Sequence, residues 1–242
     1  MKIAIMQPYF FPYIGYWQLI NAVDEFVIYD NIQYTKKGWI NRNRFLLNGK
    51  DEIFSIPLKK DSDYKNVIER NISPTFDKKG LISKFQNAYF KAPFKKEITP
   101  LLEKIIYYEN DNLFEYVYNS VLEICNYLEI KTNIIVSSKI NIDHSLKSKD
   151  KVIAIVKALN GSKYINPIGG VELYDKKEFE NNNISLEFLR ANEIKYNQNT
   201  SNFIPNLSIV DLLMYNDLKK VQDYLKDYTL IWMSCINKIA QP

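Results

Sequence analysis

The stretch KIAIMQPYFFPYIGYWQLINAVDEFVIYD, Lys2–Asp30, decides how the rest of the chain reads. Its first residues, KIAIMQ, form a short apolar run that stops at Pro8, as a buried strand entering a loop does. GYWQLINAV then places Trp17, Ile20 and Val23 at helical spacing, and EFVIYD is a second β-rich run after a tight break. Strand, loop, helix and strand make a βαβ unit, which is normally right-handed with parallel strands. The expected fold class is therefore α/β, a doubly wound and mostly parallel sheet.

Outward from this unit the pattern changes and then returns. GWINRNRFLLNGKDEIFSIPLK alternates apolar and polar residues around Asn48-Gly49, the strongest hairpin signal in the chain. NVIERNIS, Asn66–Ser73, reads as one more strand. Helices are expected over Lys78–Phe90, Lys95–Tyr108 and Leu113–Leu128, with Pro100 in a first turn. The α/β rhythm resumes with TNIIVSS as a strand, KDKVIAIVKALNG as a helix closed by Gly161, and SKYINPIGG as a strand and loop. ELYDKKEFENNN reads as helix, ISLEFLR as strand, PNLSIVDLLMYN as a helix opened by Asn206 or Ser208, and LKKVQDYLK as a last helix. IWMSCINKIAQP has no evident partner. The expected organisation is one α/β domain over 1–230, a hairpin and helical insertion over 31–130 within it, and a tail over 231–242.

Composition narrows the function. The 242 residues are 46% hydrophobic and 25% charged, the balance of a chain that buries a core. The net charge of +4 comes from 32 basic and 28 acidic residues spread along the chain. That distribution argues against a nucleic-acid-binding arm and suits an anionic small molecule. Two cysteines, Cys125 and Cys235, cannot build a Cys-rich zinc site, and no metal site is expected. Cys125 falls in a helical apolar pattern and reads as a buried hydrophobe. The sequence has no run long enough to cross a membrane and no secretory leader pattern, so a cytoplasmic protein is expected.

In an open parallel sheet, ligands bind beyond the carboxyl ends of the strands, near the switch in strand order. Four segments reach that edge: QPYFFPYIGY, DNIQYTKKGWINRNR, NPIGGVELY and the run into IPNLSIVD. In the first, Tyr9, Phe10, Phe11, Tyr13 and Tyr16 either brace the loop or wall a pocket. Gln7 and Gly15 read as ligand contacts, the glycine allowing backbone approach at a helix start. In the second, Lys36, Lys37, Arg42 and Arg44 surround Trp39, and the arginines share one strand face while Asn41 and Asn43 share the other. This is either an edge strand protected by charge or an anion clamp in which Trp39 stacks a base or sugar. In the third, Asn166, Gly169 and Gly170 form a plain turn or a backbone cradle, with Glu172 and Tyr174 close by. Asn206 and Ser208 complete the substrate-binding set. The only histidine, His144, lies in a polar loop and reads as solvated. General-base work would then fall to a carboxylate, a tyrosine or a perturbed lysine, with Asp30 at the end of the second strand as first candidate and Asp211, one turn into the late helix, as the next. Either aspartate could instead be a cap.

The strand–loop–helix start also resembles the nucleotidylyltransferase superfamily over about its first thirty residues. Tyr13-Ile14-Gly15-Tyr16 stands where that superfamily carries two phosphate-binding histidines around a glycine, and the helix start near Ser208 stands where it has a second signature. Over nearly the whole chain, MQPYFFPYIGYWQLI, VIYDNIQYTKKGWINRNRFLLNGK, YINPIGGVELYD and FIPNLSIVDLLMYN resemble the WbqC-like protein family. Members of that family are associated with bacterial surface-polysaccharide gene neighbourhoods, O-antigen clusters included. That context, with the polar-aromatic loop and the basic segment, leads to the expectation of an enzyme that modifies a nucleotide-linked amino sugar by N-acyl or aminoacyl transfer from a thioester donor. Its co-substrate would be an acyl carrier protein or coenzyme A, with no permanently bound cofactor. The alternatives are a non-catalytic sugar-nucleotide-binding or scaffolding protein and an ATP-dependent ligase or nucleotidyltransferase-like enzyme.

Overall fold

The protein is described here by a computed structural model over residues 1–232. The opening unit forms as its pattern predicts. β1 (Lys2–Met6) runs through the aromatic loop into α1 (Ile14–Asn21), and β2 (Glu25–Ile28) lies parallel to β1, with Ile3 opposite Glu25. The hairpin follows: β3 (Arg42–Leu47) pairs antiparallel with β4 (Lys50–Ser55). Asn48 (φ 51°) and Gly49 (φ 75°) supply the two left-handed residues that a two-residue hairpin turn demands.

The segment Asn66–Ser73 corrects the sequence reading. It is a short 3₁₀ turn over Val67–Glu69, flanked by isolated bridges and single hydrogen bonds to neighbouring segments rather than by a ladder. A capping box forms there, Glu69 accepting from the Asn66 N–H at 2.8 Å, and this local bonding outcompetes a ladder. α2 (Lys78–Ala88), α3 (Lys95–Ile106) and α4 (Leu113–Tyr127) match their expected spans. Pro100 lies inside α3 rather than in its first turn, because the helix already begins at Lys95.

β5 (Asn133–Val136), α5 (Ser148–Ala158), β6 (Lys163–Pro167), α6 (Lys176–Glu180) and β7 (Ser185–Ala191) restore the alternation. α7 (Ile209–Tyr215), α8 (Leu218–Tyr224) and β8 (Tyr228–Trp232) complete the described chain. α5 ends in a Schellman motif: the Gly161 N–H donates to Val156 O at 2.8 Å and Asn160 N–H to Lys157 O at 2.9 Å. The left-handed residue is Asn160 (φ 55°), not Gly161. Gly161 serves close packing instead, since a Cβ there would sit 2.4 Å from Ile3 Cδ1.

The sheet order is β5-β2-β1-β6-β7-β8, parallel throughout except for β8, which runs antiparallel to β7. The chain winds outward from β1 to β5 and then restarts at β6 on the other side of β1, so the order reverses between β1 and β6. Strand alternation builds a core on each face. Ile3, Ile5, Val27, Tyr164 and Phe188 pack with α5 and α6, whereas Ala4, Phe26, Ile28 and Ile165 pack with α1, α7 and the inserted hairpin and helices. The start of the expected tail is thus the edge strand β8, whose partner lies forty residues back and leaves no local signal. Residues 233–242 of that tail lie outside the described residues.

Candidate functional site

A cleft of about 340 Å³ opens at the carboxyl ends of β1, β6 and β7, against Met6, Pro167 and Leu189. This is the place where the strand order reverses. The loop after β1 builds one wall. Its five rings divide between the two roles considered for them: Phe10 and Phe11 are fully buried, while Tyr9, Tyr13 and Tyr16 line the cleft. Phe10 and Phe11 meet Phe54 of the hairpin at 6.0 and 6.2 Å between centroids, so they bolt the insertion to the sheet. Asn43 holds that bolt, its amide donating to Phe11 O at 2.9 Å and Phe10 O at 3.3 Å.

The phenols are fixed from behind by Gln7. Tyr16 Oη donates to Gln7 O at 3.0 Å and Tyr9 Oη to Gln7 Oε1 at 3.3 Å. Gln7 therefore orients the wall and does not itself line the cleft. Burial pushes the phenols of Tyr9, Tyr13 and Tyr16 above their ordinary range, which makes them hydrogen-bond donors and not bases. Gly15 lines the cleft, and the Tyr13 phenol folds over it: a Cβ at Gly15 would lie 2.4 Å from Tyr13 Oη. No side chain caps the start of α1.

Trp39, Asn43 and Arg44 of the hairpin region form the opposite wall, with Asn206. Trp39 is 40% exposed and flanked by the guanidinium groups of Arg42 at 5.6 Å and Arg44 at 5.9 Å from its ring centre. The shared face of the two arginines is as expected; their use as a joint clamp is not. Arg42 donates to Gly38 O at 2.9 Å and to Lys37 O, which spends its fork on the loop backbone. Lys36 is exposed and paired with Asp63 at 2.8 Å, and Lys37 is exposed; neither reaches the cleft. Asn41 is buried and satisfied by Tyr34 Oη at 2.9 Å and Ile56 O at 2.7 Å. Arg44 does reach the cleft, held by Asp51 Oδ2 at 3.0 Å and Asn206 O at 3.3 Å.

Other expected contacts fall behind the wall. Asn166 is buried, accepting from Tyr164 Oη at 3.0 Å, and Gly170 packs on its amide. Neither Gly169 nor Gly170 adopts a positive φ, so the pair makes an ordinary 3₁₀ turn over Ile168–Leu173, which also leaves Glu172 exposed. Ser208 is fully buried as the cap of α7, its hydroxyl accepting from the Val210 N–H at 3.3 Å. Pro167, Leu189 and Met6 were not singled out from the sequence, because core residues at strand ends carry no local mark of a cavity.

The two carboxylates considered for catalysis lie outside the lining. Asp30 is buried, its Oδ1 accepting from Ser137 Oγ at 2.8 Å and Ser138 N at 3.0 Å. Around it, Asn31 joins Ser137, Lys151 and His144, whose imidazole also reaches Ile140 O at 3.0 Å. His144 is thus exposed but bonded into a polar cluster beside β5. Asp211 is fully buried and accepts from Tyr196 Oη at 2.6 Å and Gln198 Nε2 at 2.8 Å. Burial pushes its carboxyl up, against those hydrogen bonds. Burial likewise pushes the Cys125 thiol up to about 12, in keeping with a core role. No helix among the described residues is long and apolar enough to cross a membrane.

Comparison with known proteins fits this frame. No solved structure matches the chain. A protein of Mycobacterium tuberculosis (strain H37Rv), "Uncharacterized protein Rv1507c", is 28% identical over 230 residues, covering 93% of this chain and 97% of that one. The pattern of the WbqC-like protein family matches residues 7–223, a span that holds the aromatic loop, the hairpin and the cleft between them, and the chain belongs to that family.

Proposed function

We propose that the cleft binds a nucleotide-linked amino sugar and that the protein transfers an acyl or aminoacyl group from a thioester to the sugar's amine, in surface-polysaccharide assembly. One observation carries the reading: a cleft at the strand-order reversal, lined mainly by rings and aliphatic residues, contains Arg44 and the uncapped start of α1. An arginine and the Ile14 and Gly15 N–H groups at the helix start suit a diphosphate, and Trp39 and Tyr13 offer ring faces to a base or sugar. The strand–loop–helix layout is nucleotidylyltransferase-like in outline. Tyr16, in the second histidine's place, spends its hydroxyl on Gln7 and cannot copy the phosphate role.

In the reaction, the amine nitrogen attacks the thioester carbonyl; a C–N bond forms, the C–S bond breaks, and the thiol leaves with the amine's proton. The Tyr13 hydroxyl is a donor suited to the developing oxyanion, since Tyr9 and Tyr16 donate to Gln7, and positioning supplies much of such a rate. The lining residues include no carboxylate and no imidazole, which favours a second reading as a sugar-nucleotide-binding protein without chemistry.

Calorimetry with UDP- and dTDP-linked amino sugars, followed by mass spectrometry after adding coenzyme A or carrier-protein thioesters, tests both readings. Arg44→Gln should weaken nucleotide-sugar binding about 10- to 100-fold, as loss of a charge-assisted bond implies. Binding with an acylated product supports transfer; binding without product selects the second reading; no binding removes both.

A further inference from the structure

A second cavity, of about 250 Å³, lies between the end of β7, the connection 192–208 and the start of α7. Ile14, Ile194, Phe203, Leu207 and Leu212 give it a mainly apolar wall. Apart from Asn206, its polar side chains are bonded elsewhere. Tyr196 Oη donates to Asp211, Asn192 Nδ2 donates to Asp227 at 2.8 Å, and Glu193 pairs with Lys195 at 2.9 Å. The cavity therefore offers apolar contact, and the one charge on its wall is already neutralised.

The two cavities are neighbours that meet at Asn206. Asn206 lines both, and Ile14 lines this one while Tyr13 and Gly15 line the cleft. Asn206 holds a left-handed backbone (φ 56°) and its carbonyl accepts from Arg44, so the bend that divides the cavities is anchored to the cleft wall. The connection 192–208 contains no helix or strand and is far longer than the usual link of two to six residues between a strand and a helix. It is pinned from below: Tyr196 and Gln198 both donate to buried Asp211, and Gln198 closes a loop onto Ile204 through 2.8 and 3.0 Å bonds.

We infer that this second cavity receives an uncharged apolar chain, the tail of a second substrate whose reactive end passes Asn206 into the aromatic cleft. The inference rests on the amino-sugar reading of the cleft and adds where the acyl group of the donor lies. The shared wall at Asn206 argues for a substrate tail, and the mainly apolar lining argues for a hydrocarbon rather than a phosphate-bearing group.

Non-transferable S-alkyl thioethers of N-acetylcysteamine, with chains of increasing length, test it by calorimetry. Affinity should rise about fourfold per methylene until the cavity is full. Ala191→Phe, which fills the cavity from the end of β7, should flatten that rise while leaving amino-sugar nucleotide binding unchanged. Phe203→Ala, on a half-exposed wall position, should move the plateau to longer chains. Affinity independent of chain length, or the same chain-length response in both variants and wild type, overturns the inference. A chain-length response in a protein that binds no amino-sugar nucleotide keeps the cavity's assignment and overturns the reading of the cleft.

Discussion

Neighbouring rings in the loop after β1 enter different surroundings because the backbone reverses at Phe11, a left-handed residue at φ 48°. Such a conformation is costly for an aromatic residue and persists only where other contacts over-determine it. Asn43 does this by taking both the Phe10 and Phe11 carbonyls, and the buried ring contacts hold the other side. The five rings were visible in the sequence; their division into bolt and wall depended on an asparagine more than thirty residues away. Asp211 gives the residue-scale prediction. Its folded pKa is raised by burial, so the folded state holds the proton more tightly than the unfolded chain. That contribution is complete below the unfolded carboxylate value of about 3.9 and is lost as pH rises through the raised folded value. Asp211→Asn keeps an acceptor for Tyr196 and Gln198 and cannot ionise. Urea denaturation from about pH 4 to about pH 8 should show the variant gaining on wild type as pH rises, in the window set by that linkage. A difference that is flat or reversed with pH would mean that Asp211 folds ionised.

Elements with local signals formed where their patterns put them. Asn48-Gly49 closes the hairpin because both residues tolerate positive φ, and α2, α3 and α4 follow their apolar stripes. Val67–Glu69 departed from its strand-like pattern because a capping box satisfied the backbone locally. At the end of α5 the sequence pointed to the right place and the wrong residue: Asn160 makes the turn, and Gly161 makes room for Ile3 and Val156. Gly161→Ala should therefore cost about 1–3 kcal/mol, the range for overpacking a filled core. Asn160→Gly should stay within a few tenths of a kcal/mol, since glycine adopts the same turn. Chemical denaturation of the two variants separates the roles; equal costs would return the turn to Gly161.

At the scale of the molecule, β8 closes the sheet by covering β7, whose Phe188 and Leu189 are buried. A chain ending at Asp227 would leave β7 as an open edge with unpaired backbone groups beside apolar side chains. It should aggregate on size-exclusion chromatography with light scattering, whereas a chain ending at Trp232 should run as the full-length protein does; equal behaviour would deny β8 its covering role. The sequence by itself determined the βαβ start, the hairpin, the helices of the insertion and the parallel sheet, because each is written in the period of apolar residues or in turn chemistry within a few positions. It also marked Tyr9, Tyr13, Gly15, Tyr16, Trp39 and Asn206, all of which line the cleft. Only the tertiary structure decided that Arg44 faces the cleft while Arg42 serves its own loop, that Asp30, Asp211, Asn166 and Ser208 are bonded inside the protein, and that β8 pairs with β7. The physical reason is that a buried polar group takes whichever partner the fold brings within hydrogen-bond reach: for Asp30 that partner, Ser137, lies 107 residues away, and for Asn166 and Ser208 it is a near neighbour, with the burial itself decided by the fold.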